Sequence, residues 1–248
     1  MKDINNIKFD DFYYNNHWAS EYGITIGGAS GVPLSSPLPT IDTQTQKIIG
    51  VHGAFITSSQ YNPRTFVIPI VISDLSRIRE IAGWLSNLEP SYFYYKGDSV
   101  KIKCVINDAQ NDIQYGIMEN LKAGITDLKF IAYDPFYELI NDKYYCISTF
   151  TSKTTISNDG NWESQPIIKI TGNGDVRFKL NGMSMLIKAV STSATIDMKY
   201  FTVVNDTNLN KLSNFEGSFI TFLPGRNEFE MESGNVSKVE IWCRSKFI

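Results

Sequence analysis

Few residues in this chain are suited to acid–base or nucleophilic chemistry. Its two histidines, His17 and His52, lack the accompanying carboxylate or cysteine spacing of a catalytic triad or a metal site. A serine nucleophile elbow, a Walker phosphate loop, a dinucleotide fingerprint and the H-E-x-x-H zinc motif are absent as well. The sequence therefore predicts a protein that is not an enzyme and that needs no cofactor.

Acidic side chains could still serve a glycosidase, which needs two carboxyl groups on opposite sides of a sugar. Glu228, Glu230 and Glu232 alternate with apolar residues, so all three project from one face of a predicted strand. Such a row is typical of a solvated strand face, and it contains no recognisable acid pair.

The three cysteines are Cys104, Cys146 and Cys243, and they lie far apart in strand-like sequence. Their spacing matches no metal-binding pattern such as C-x-x-C. We therefore predict buried or half-buried reduced thiols, and no metal site.

Length and charge limit the class of protein. The 248 residues, of which 42% are hydrophobic, suffice for one large core or two smaller ones. The formal net charge of −3 offers no basic surface for nucleic acid or for an anionic membrane. Sequence-specific nucleic-acid binding is therefore not expected.

The N-terminal residues lack the apolar segment of a secretory signal peptide, so we expect synthesis in the cytoplasm. The longest apolar run, residues 66–72, is interrupted by Pro69 and is too short to span a bilayer. The sequence thus predicts no membrane insertion.

In the first half of the chain, alternating strands surround one helix. Arg64–Ile72 is a predicted strand, and Pro69 within it indicates an edge or a bulge because proline cannot donate to a β-ladder. Ser73 is a predicted cap for an amphipathic helix over residues 74–87. Tyr92, Phe93, Tyr94 and Tyr95 form an aromatic strand, in which alternation places two rings in the core and two at an edge or interface.

Residues 29–47 are rich in Gly, Ser, Thr and Pro and have almost nothing to bury. Pro33 and Pro37 favour an extended conformation, which predicts an arm that contacts a neighbouring subunit. A hairpin is predicted next, over residues 48–56, with its turn at residues 50–53. The interface candidates of the first half are therefore Pro33, Pro37, Pro69, Tyr92 and Tyr94.

From residue 143 onward the sequence shows only short strands separated by turn residues, such as Asn181-Gly182. This pattern predicts an antiparallel sandwich or barrel. The expected fold is mainly β, with an α+β domain at residues 1–139 and an all-β domain at residues 140–248.

A family resemblance is carried by motifs in both halves of the chain. In the first half they are the turn at residues 50–53, the Arg64-Thr-Phe-Val-Ile-Pro-Ile strand, the helix ending at Trp84-Leu85, the aromatic strand, and Phe130-Ile-Ala-Tyr-Asp-Pro-Phe-Tyr137. In the second half they are Asn158-Asp-Gly160, Pro166-Ile-Ile-Lys-Ile-Thr-Gly172, Asn181-Gly182, Ile196-Asp197 and Gly217-Ser-Phe-Ile-Thr-Phe-Leu-Pro-Gly225. In this order the motifs resemble the distal tail protein family of siphophage-type bacteriophages, whose members are baseplate hub components, and the resemblance covers nearly the whole chain.

The resemblance implies a homohexameric ring formed by the N-terminal domains, with galectin-like C-terminal β-sandwiches outside it. Such a ring at the virion tail tip would join the tail tube protein to the tail-associated lysin, tail fibre or receptor-binding protein, and DNA would pass through it. The alternative is a carbohydrate-binding module for the host surface, because Trp162 in Asn161-Trp-Glu-Ser-Gln165 could stack on a sugar.

Overall fold

The computed structural model describes residues 8–27, 38–106, 114–115, 124–150 and 153–248. In these residues the fold is mainly β with one short α-helix, which confirms the predicted fold class. The contacts divide the chain between Tyr137 and Glu138 into two compact units, here called the first and second units.

The first unit contains ten strands that end before the division, one α-helix and two 3₁₀ turns within the described residues. The strands are β1 (Lys8–Tyr14), β2 (His17–Trp18), β3 (Ile24–Ile26), β4 (Ile41–Gln46), β5 (Phe55–Tyr61), β6 (Arg64–Ile72), β7 (Ser91–Lys96), β8 (Val100–Ile106), β9 (Gln114–Tyr115) and β10 (Gly124–Ala132). The helix is α1 (Ile78–Leu85), and the 3₁₀ turns are Ala19–Tyr22 and Leu75–Arg77.

Seven of these strands form an antiparallel sheet in the order β2-β1-β7-β8-β10-β6-β3, and β9 pairs with β10. The longest register joins β10 to β6, from Gly124 opposite Ile72 to Ala132 opposite Arg64. Alternate residues of these strands are buried, as the alternating sequence requires. The largest core side chains are Phe12, Tyr14, Phe66, Ile68, Ile70, Ile72, Ile81, Trp84, Phe93, Ile102, Leu128 and Phe130.

Pro69 lies inside the sheet, in contrast to the predicted edge or bulge. It faces Asp127 in an unbroken register, and β6 has β10 on one side and β3 on the other. The Pro69 carbonyl accepts a hydrogen bond from the Gly27 N–H at 3.1 Å. Because N and C=O of one strand residue point to the same side, the proline nitrogen faces the end of β3, where pairing stops at Ile26. The proline therefore costs the sheet no bond to β10.

Helix α1 is shorter than the predicted helix at residues 74–87, and its cap differs. A 3₁₀ turn, Leu75–Arg77, precedes it, and the Asp74 carboxylate accepts the Ser76 N–H at 2.9 Å. The Ser73 hydroxyl instead donates to the Gly23 carbonyl at 2.7 Å. Ser73 thus ties the end of β6 to the loop before β3, and Asp74 caps the turn.

Trp84 anchors α1 to the sheet. Its indole N–H donates to the Tyr14 carbonyl at 2.8 Å, and its ring stacks on Tyr22 with centroids 4.7 Å apart. The Trp84 carbonyl accepts the Asn15 side-chain amide at 2.8 Å. A helix of eight residues has little stability of its own, so this packing holds it in place.

The segment before β6 differs from its prediction. Residues 41–46, expected within an extended arm, form β4, which pairs antiparallel with β5. The hairpin strands are therefore Ile41–Gln46 and Phe55–Tyr61, and not residues 48–56 alone. Pro33 and Pro37 lie outside the described residues.

The second unit contains strands and one 3₁₀ turn (Leu212–Asn214) in its described part. The strands are β12 (Tyr144–Ile147), β13 (Thr154–Asn158), β14 (Ile167–Leu180), β15 (Met183–Val190), β16 (Ser193–Asp197), β17 (Thr202–Asn205), β18 (Phe215–Glu216), β19 (Gly225–Trp242) and β20 (Lys246–Phe247); β11 (Tyr137–Leu139) spans the division.

Two long strands organise the second unit. The main sheet path is β12-β19-β14-β15-β18; β13 also pairs with β19, and β16 with β14 and β17. The register between β14 and β19 shifts between Thr171 and Phe178, and buried side chains from both sides of these shifts belong to one core cluster. The turn at Asn181-Gly182 has positive φ at both residues, as the Asn-Gly pair predicts. The likeness to a galectin fold stays a prediction.

The last turn of the second unit is fixed by an ion pair. The Arg244 guanidinium donates from Nη1 and Nη2 to the two Asp197 carboxylate oxygens at 2.7 and 2.8 Å. Burial alone would raise the pKa of Asp197, but the hydrogen bonds and charge of Arg244 outweigh it and hold the pKa below its usual range. Asp197 is therefore ionised at neutral pH.

Replacing Trp84 tests its anchoring role. Trp84→Phe keeps a ring but removes the donor to the Tyr14 carbonyl, so we expect the free energy of unfolding of the first unit to fall by about 1–3 kcal/mol. Trp84→Ala removes the ring as well, and we expect a loss of about 3–5 kcal/mol. Hydrogen exchange of first-unit peptides measures both values, with Trp162→Phe in the second unit as the control. A Trp84→Phe variant as stable as the wild type would contradict a separate role for the indole N–H, and equal losses for the two variants would contradict a role for the ring.

Asp197→Asn tests the ion pair. We expect the free energy of unfolding of the second unit to fall by about 1–3 kcal/mol at neutral pH, since the charged partner of Arg244 is removed. The folded pKa of Asp197 is below the unfolded value of about 3.9, so the stabilisation is full above that value and disappears as pH falls through the folded pKa. Urea denaturation at neutral and acidic pH measures the difference. A difference that persists unchanged at acidic pH would contradict the assignment.

Candidate assembly surface

The hairpin of β4 and β5 exposes apolar side chains. Every residue of β4, and all but Tyr61 in β5, is exposed. Phe55 is 53% exposed and Ile56 is 69% exposed, and Ile49 in the connecting turn is fully exposed. Further exposed apolar residues of the hairpin are Ile41, Ile48 and Val51. A cluster of exposed apolar side chains usually marks a surface that another molecule covers.

The hairpin also offers unpaired backbone. Within the described part of the chain, β4 and β5 pair with each other and with no further strand. A two-stranded ribbon of this kind is marginally stable by itself, and each outer edge can accept another strand. Its base is closed by the Asn62 N–H, which donates to the Thr40 carbonyl at 2.8 Å, and the Tyr61 ring packs edge-on against Phe136 with centroids 5.9 Å apart. Among the described strands, the hairpin is therefore a two-stranded ribbon with open edges and an apolar surface.

A second surface of the first unit is aromatic, and we call it the aromatic face. Tyr13 on β1 stacks on Tyr94 of β7 with ring centroids 4.7 Å apart, and Trp18 packs edge-on against both rings. Tyr92 lies on the same side of β7 and is contacted by Lys101, whose Nζ is 4.2 Å from its ring centroid. These rings are half-buried or exposed, while Phe93 belongs to the core. Aromatic side chains in such positions are enriched at protein interfaces.

Of the predicted interface residues, the structure brings Tyr92 and Tyr94 together on the aromatic face. Pro69 is buried inside the sheet and is thus not available at the surface of the unit. Sequence reasoning missed Tyr13 and Trp18, because the register between β1 and β7 cannot be read from either strand alone. It also missed β4, although Ile41, Thr43 and Thr45 alternate with polar residues as in a strand.

In the described residues, side chains that could bind a metal do not cluster on this surface. Among the described residues, no three His, Cys, Asp or Glu side chains lie close enough to hold a metal ion. His17 pairs with Glu21 at 2.8 Å, a neighbour that the sequence patterns had not suggested, and His52 lies exposed in the hairpin turn. Cys104 and Cys243 are buried as predicted, which raises the pKa of both thiols, whereas Cys146 is exposed, in contrast to the prediction. No helix in the described ranges has the length and apolar character needed to cross a membrane.

Trp162, the residue suggested for sugar stacking, lies half-buried in the second unit. Its backbone N–H donates to the Lys246 carbonyl at 3.2 Å, and its backbone carbonyl accepts from the Asn158 side-chain amide at 3.1 Å. Its backbone thus helps to fix the Asn158–Gly160 turn against β20. A sugar-binding role for Trp162 stays a prediction.

The first unit matches a known family. Residues 19–132 match the family described as phage tail protein RIFT-related domain. This segment includes the hairpin, helix α1 and the strands from β3 to β10. A search of curated proteins found no match.

Two solved structures are similar in fold to this chain over most of its length. The Dit protein (gp 19.1) of phage SPP1, described as a paradigm of the hub adsorption apparatus in Gram-positive infecting phages, superposes with a TM-score of 0.77 at 13% identity, over 97% of this chain and 100% of that chain. A chain of the phage p2 baseplate in its activated conformation with Sr gives a TM-score of 0.50 at 8% identity, over 94% of this chain and 97% of that one. At these identities the likeness concerns the fold.

Polar substitutions in the hairpin test whether its apolar side chains lack stabilising contacts within the single chain. Since Ile49 and Ile56 are exposed, we expect an Ile49→Ser/Ile56→Ser double variant to change the free energy of unfolding of the first unit by less than about 0.5 kcal/mol. Urea denaturation at a concentration where the protein is monomeric measures this. A loss of more than about 1.5 kcal/mol would show that these side chains pack within the chain.

Proposed function

We propose that this chain is a phage tail and baseplate hub protein of the siphophage type and that it assembles as a homohexameric ring at the tail tip of the virion. In this proposal the ring connects the tail tube protein to the tail-associated lysin or to a tail fibre or receptor-binding protein. DNA passes through its centre, and the subunits are made in the cytoplasm of the bacterial host. The tail-protein domain at residues 19–132 and the fold shared with SPP1 Dit support the structural role.

The observation that carries the ring proposal is the exposed hairpin of β4 and β5. Burying Ile49 and Ile56 against a neighbour would contribute about 1.5–3 kcal/mol for each side chain. The open edges of the hairpin allow strand pairing with the same neighbour, which adds backbone hydrogen bonds. A hairpin whose apolar side chains are buried only when a partner covers them is expected of an assembly protein.

A closed ring needs two different faces on each subunit, because its contacts are heterologous. The hairpin is one of these faces, and the aromatic face is our candidate for the other. Tyr13, Trp18 and Tyr94 offer a rigid surface of large area, to which apolar hairpin side chains are chemically suited. In the proposed ring, the hairpin of one subunit packs on the aromatic face of the next.

The proposed mechanism is assembly without catalysis. With a net charge of −3, the chain would not hold DNA that passes through the ring. The ring contacts are instead apolar and backbone-mediated, and such contacts persist when the salt concentration changes.

Light scattering behind a sizing column tests the ring directly. We expect the wild-type protein to have a mass near six times 28.0 kDa, with a central hole in negative-stain images. Ile56→Lys places a charge on the hairpin surface, so this variant should elute with a lower mass. Leu223→Lys is the matched control, since Leu223 is similarly exposed but lies in the second unit.

Two results would contradict the proposal. A wild-type protein that stays monomeric at its highest soluble concentration would exclude self-assembly into a ring. A ring that persists in Ile56→Lys and is lost in Leu223→Lys would indicate that the contact between subunits lies in the second unit.

A further inference from the structure

The second unit carries an aromatic pair on the outward side of its sheet. In the register of β12, β19 and β14, Tyr144 faces Trp242, and Trp242 faces Ile167. The ring centroids of Tyr144 and Trp242 are 5.2 Å apart, with an angle of 49° between the rings. Tyr144 is 48% exposed although it is a large aromatic residue. Its strand, β12, is the terminal strand of the main sheet path, so the pair lies at the side of the sheet.

A fixed carboxylate lies beside these rings. One Glu240 oxygen accepts the Tyr144 hydroxyl at 2.6 Å, and the other lies 3.0 Å from Lys238 Nζ. The hydrogen bonds from Tyr144 and then from Lys238 lower the pKa of Glu240, so its charge is retained at neutral pH. Lys169 faces Glu240 on the next strand and adds a donor to the same row. The Glu240 carboxylate, as acceptor, and Lys169 Nζ, as donor, thus lie next to the aromatic pair.

We propose that this face of the second unit binds a neutral pyranose sugar. The apolar face of the sugar ring stacks on Trp242 and Tyr144, while its hydroxyl groups donate to the Glu240 carboxylate and accept from Lys169 Nζ. Hydrogen bonds to charged groups are stronger than those between neutral groups, which compensates for the limited area of a single ring pair. This site lies in the second unit, whereas the hairpin and the aromatic face lie in the first.

The composition of the face favours a sugar over other ligands. The centre of a protein interface is depleted in charged residues, whereas here Glu240 and Lys169 lie directly beside the aromatic pair. A sugar ring can contact the aromatic pair with its apolar face and the charged side chains with its hydroxyl groups. Ligand sites commonly combine apolar walls with a few fixed polar groups in this way. An acidic sugar would bring its carboxylate close to that of Glu240, and it is disfavoured for that reason.

Titration of the full-length protein with the methyl pyranosides of galactose, glucose, N-acetylglucosamine and rhamnose tests the site. Saturation-transfer NMR detects the bound sugar, and we expect saturable binding of at least one of the four. Trp242→Ala and Glu240→Gln should each weaken that binding by at least about tenfold. Glu240→Gln keeps the size of the side chain, so it tests the site even if Trp242→Ala fails to fold. Trp162→Ala is the matched control and should bind as the wild type does.

Cys146 gives a second and local readout. It is exposed and lies opposite Glu240 in the register, whereas Cys104 and Cys243 are buried. A bound sugar should therefore slow the alkylation of Cys146 by iodoacetamide in the wild type but not in Glu240→Gln.

Three outcomes would overturn the proposal. The first is no saturable binding of any of the four glycosides. The second is binding that Trp162→Ala abolishes and Glu240→Gln leaves intact, which would place the sugar on Trp162. The third is binding of methyl glucuronide with none of the neutral sugars, which would mark the face as a site for anions.

Discussion

The first unit depends on the packing of Trp84 against the N-terminal strand. An eight-residue helix cannot persist alone, and its attachment rests on the buried Ile81 and on the Trp84 ring, which stacks on Tyr22 and donates to the Tyr14 carbonyl. This contact closes the core of β1, β7, β8, β10 and β6. It also fixes β1, whose opposite side carries Tyr13 of the aromatic face. The core and the proposed contact surface are therefore two sides of the same strands, and stability of one is needed for the geometry of the other.

Much of the fold could be predicted from local pattern. The alternation in β6 and β10, the single amphipathic helix and the Asn181-Gly182 turn all reflect interactions between near neighbours in sequence. Errors arose where long-range pairing decides the structure. Pro69 suggested an edge, but its position at the end of β3 pairing allows it inside the sheet. Ser73 suggested a cap, but the Gly23 carbonyl takes its hydroxyl hydrogen bond.

The candidate surfaces were harder to predict than the core. Low hydrophobicity around residues 29–47 indicated an arm, and the strand at Ile41–Gln46 was hidden because it buries nothing within the described chain. The aromatic pair of the second unit joins Tyr144 and Trp242, which are far apart in sequence and meet only through strand pairing. Polar residues flank Trp162 in the sequence, which suggests a ligand site, yet its backbone forms hydrogen bonds that hold a turn. Local composition identifies surface residues, but only the register shows which of them lie together.

The central claim is that the hairpin of β4 and β5 gains strand pairing and buries its apolar side chains against a neighbouring subunit. Hydrogen exchange of the peptides covering residues 41–61, compared between the dilute monomer and the assembled protein, tests it most directly. The account predicts fast exchange in the monomer and exchange slower by at least about tenfold in the assembly, because the open strand edges gain hydrogen bonds. Equal exchange in both forms, with new protection confined to the second unit, would contradict it.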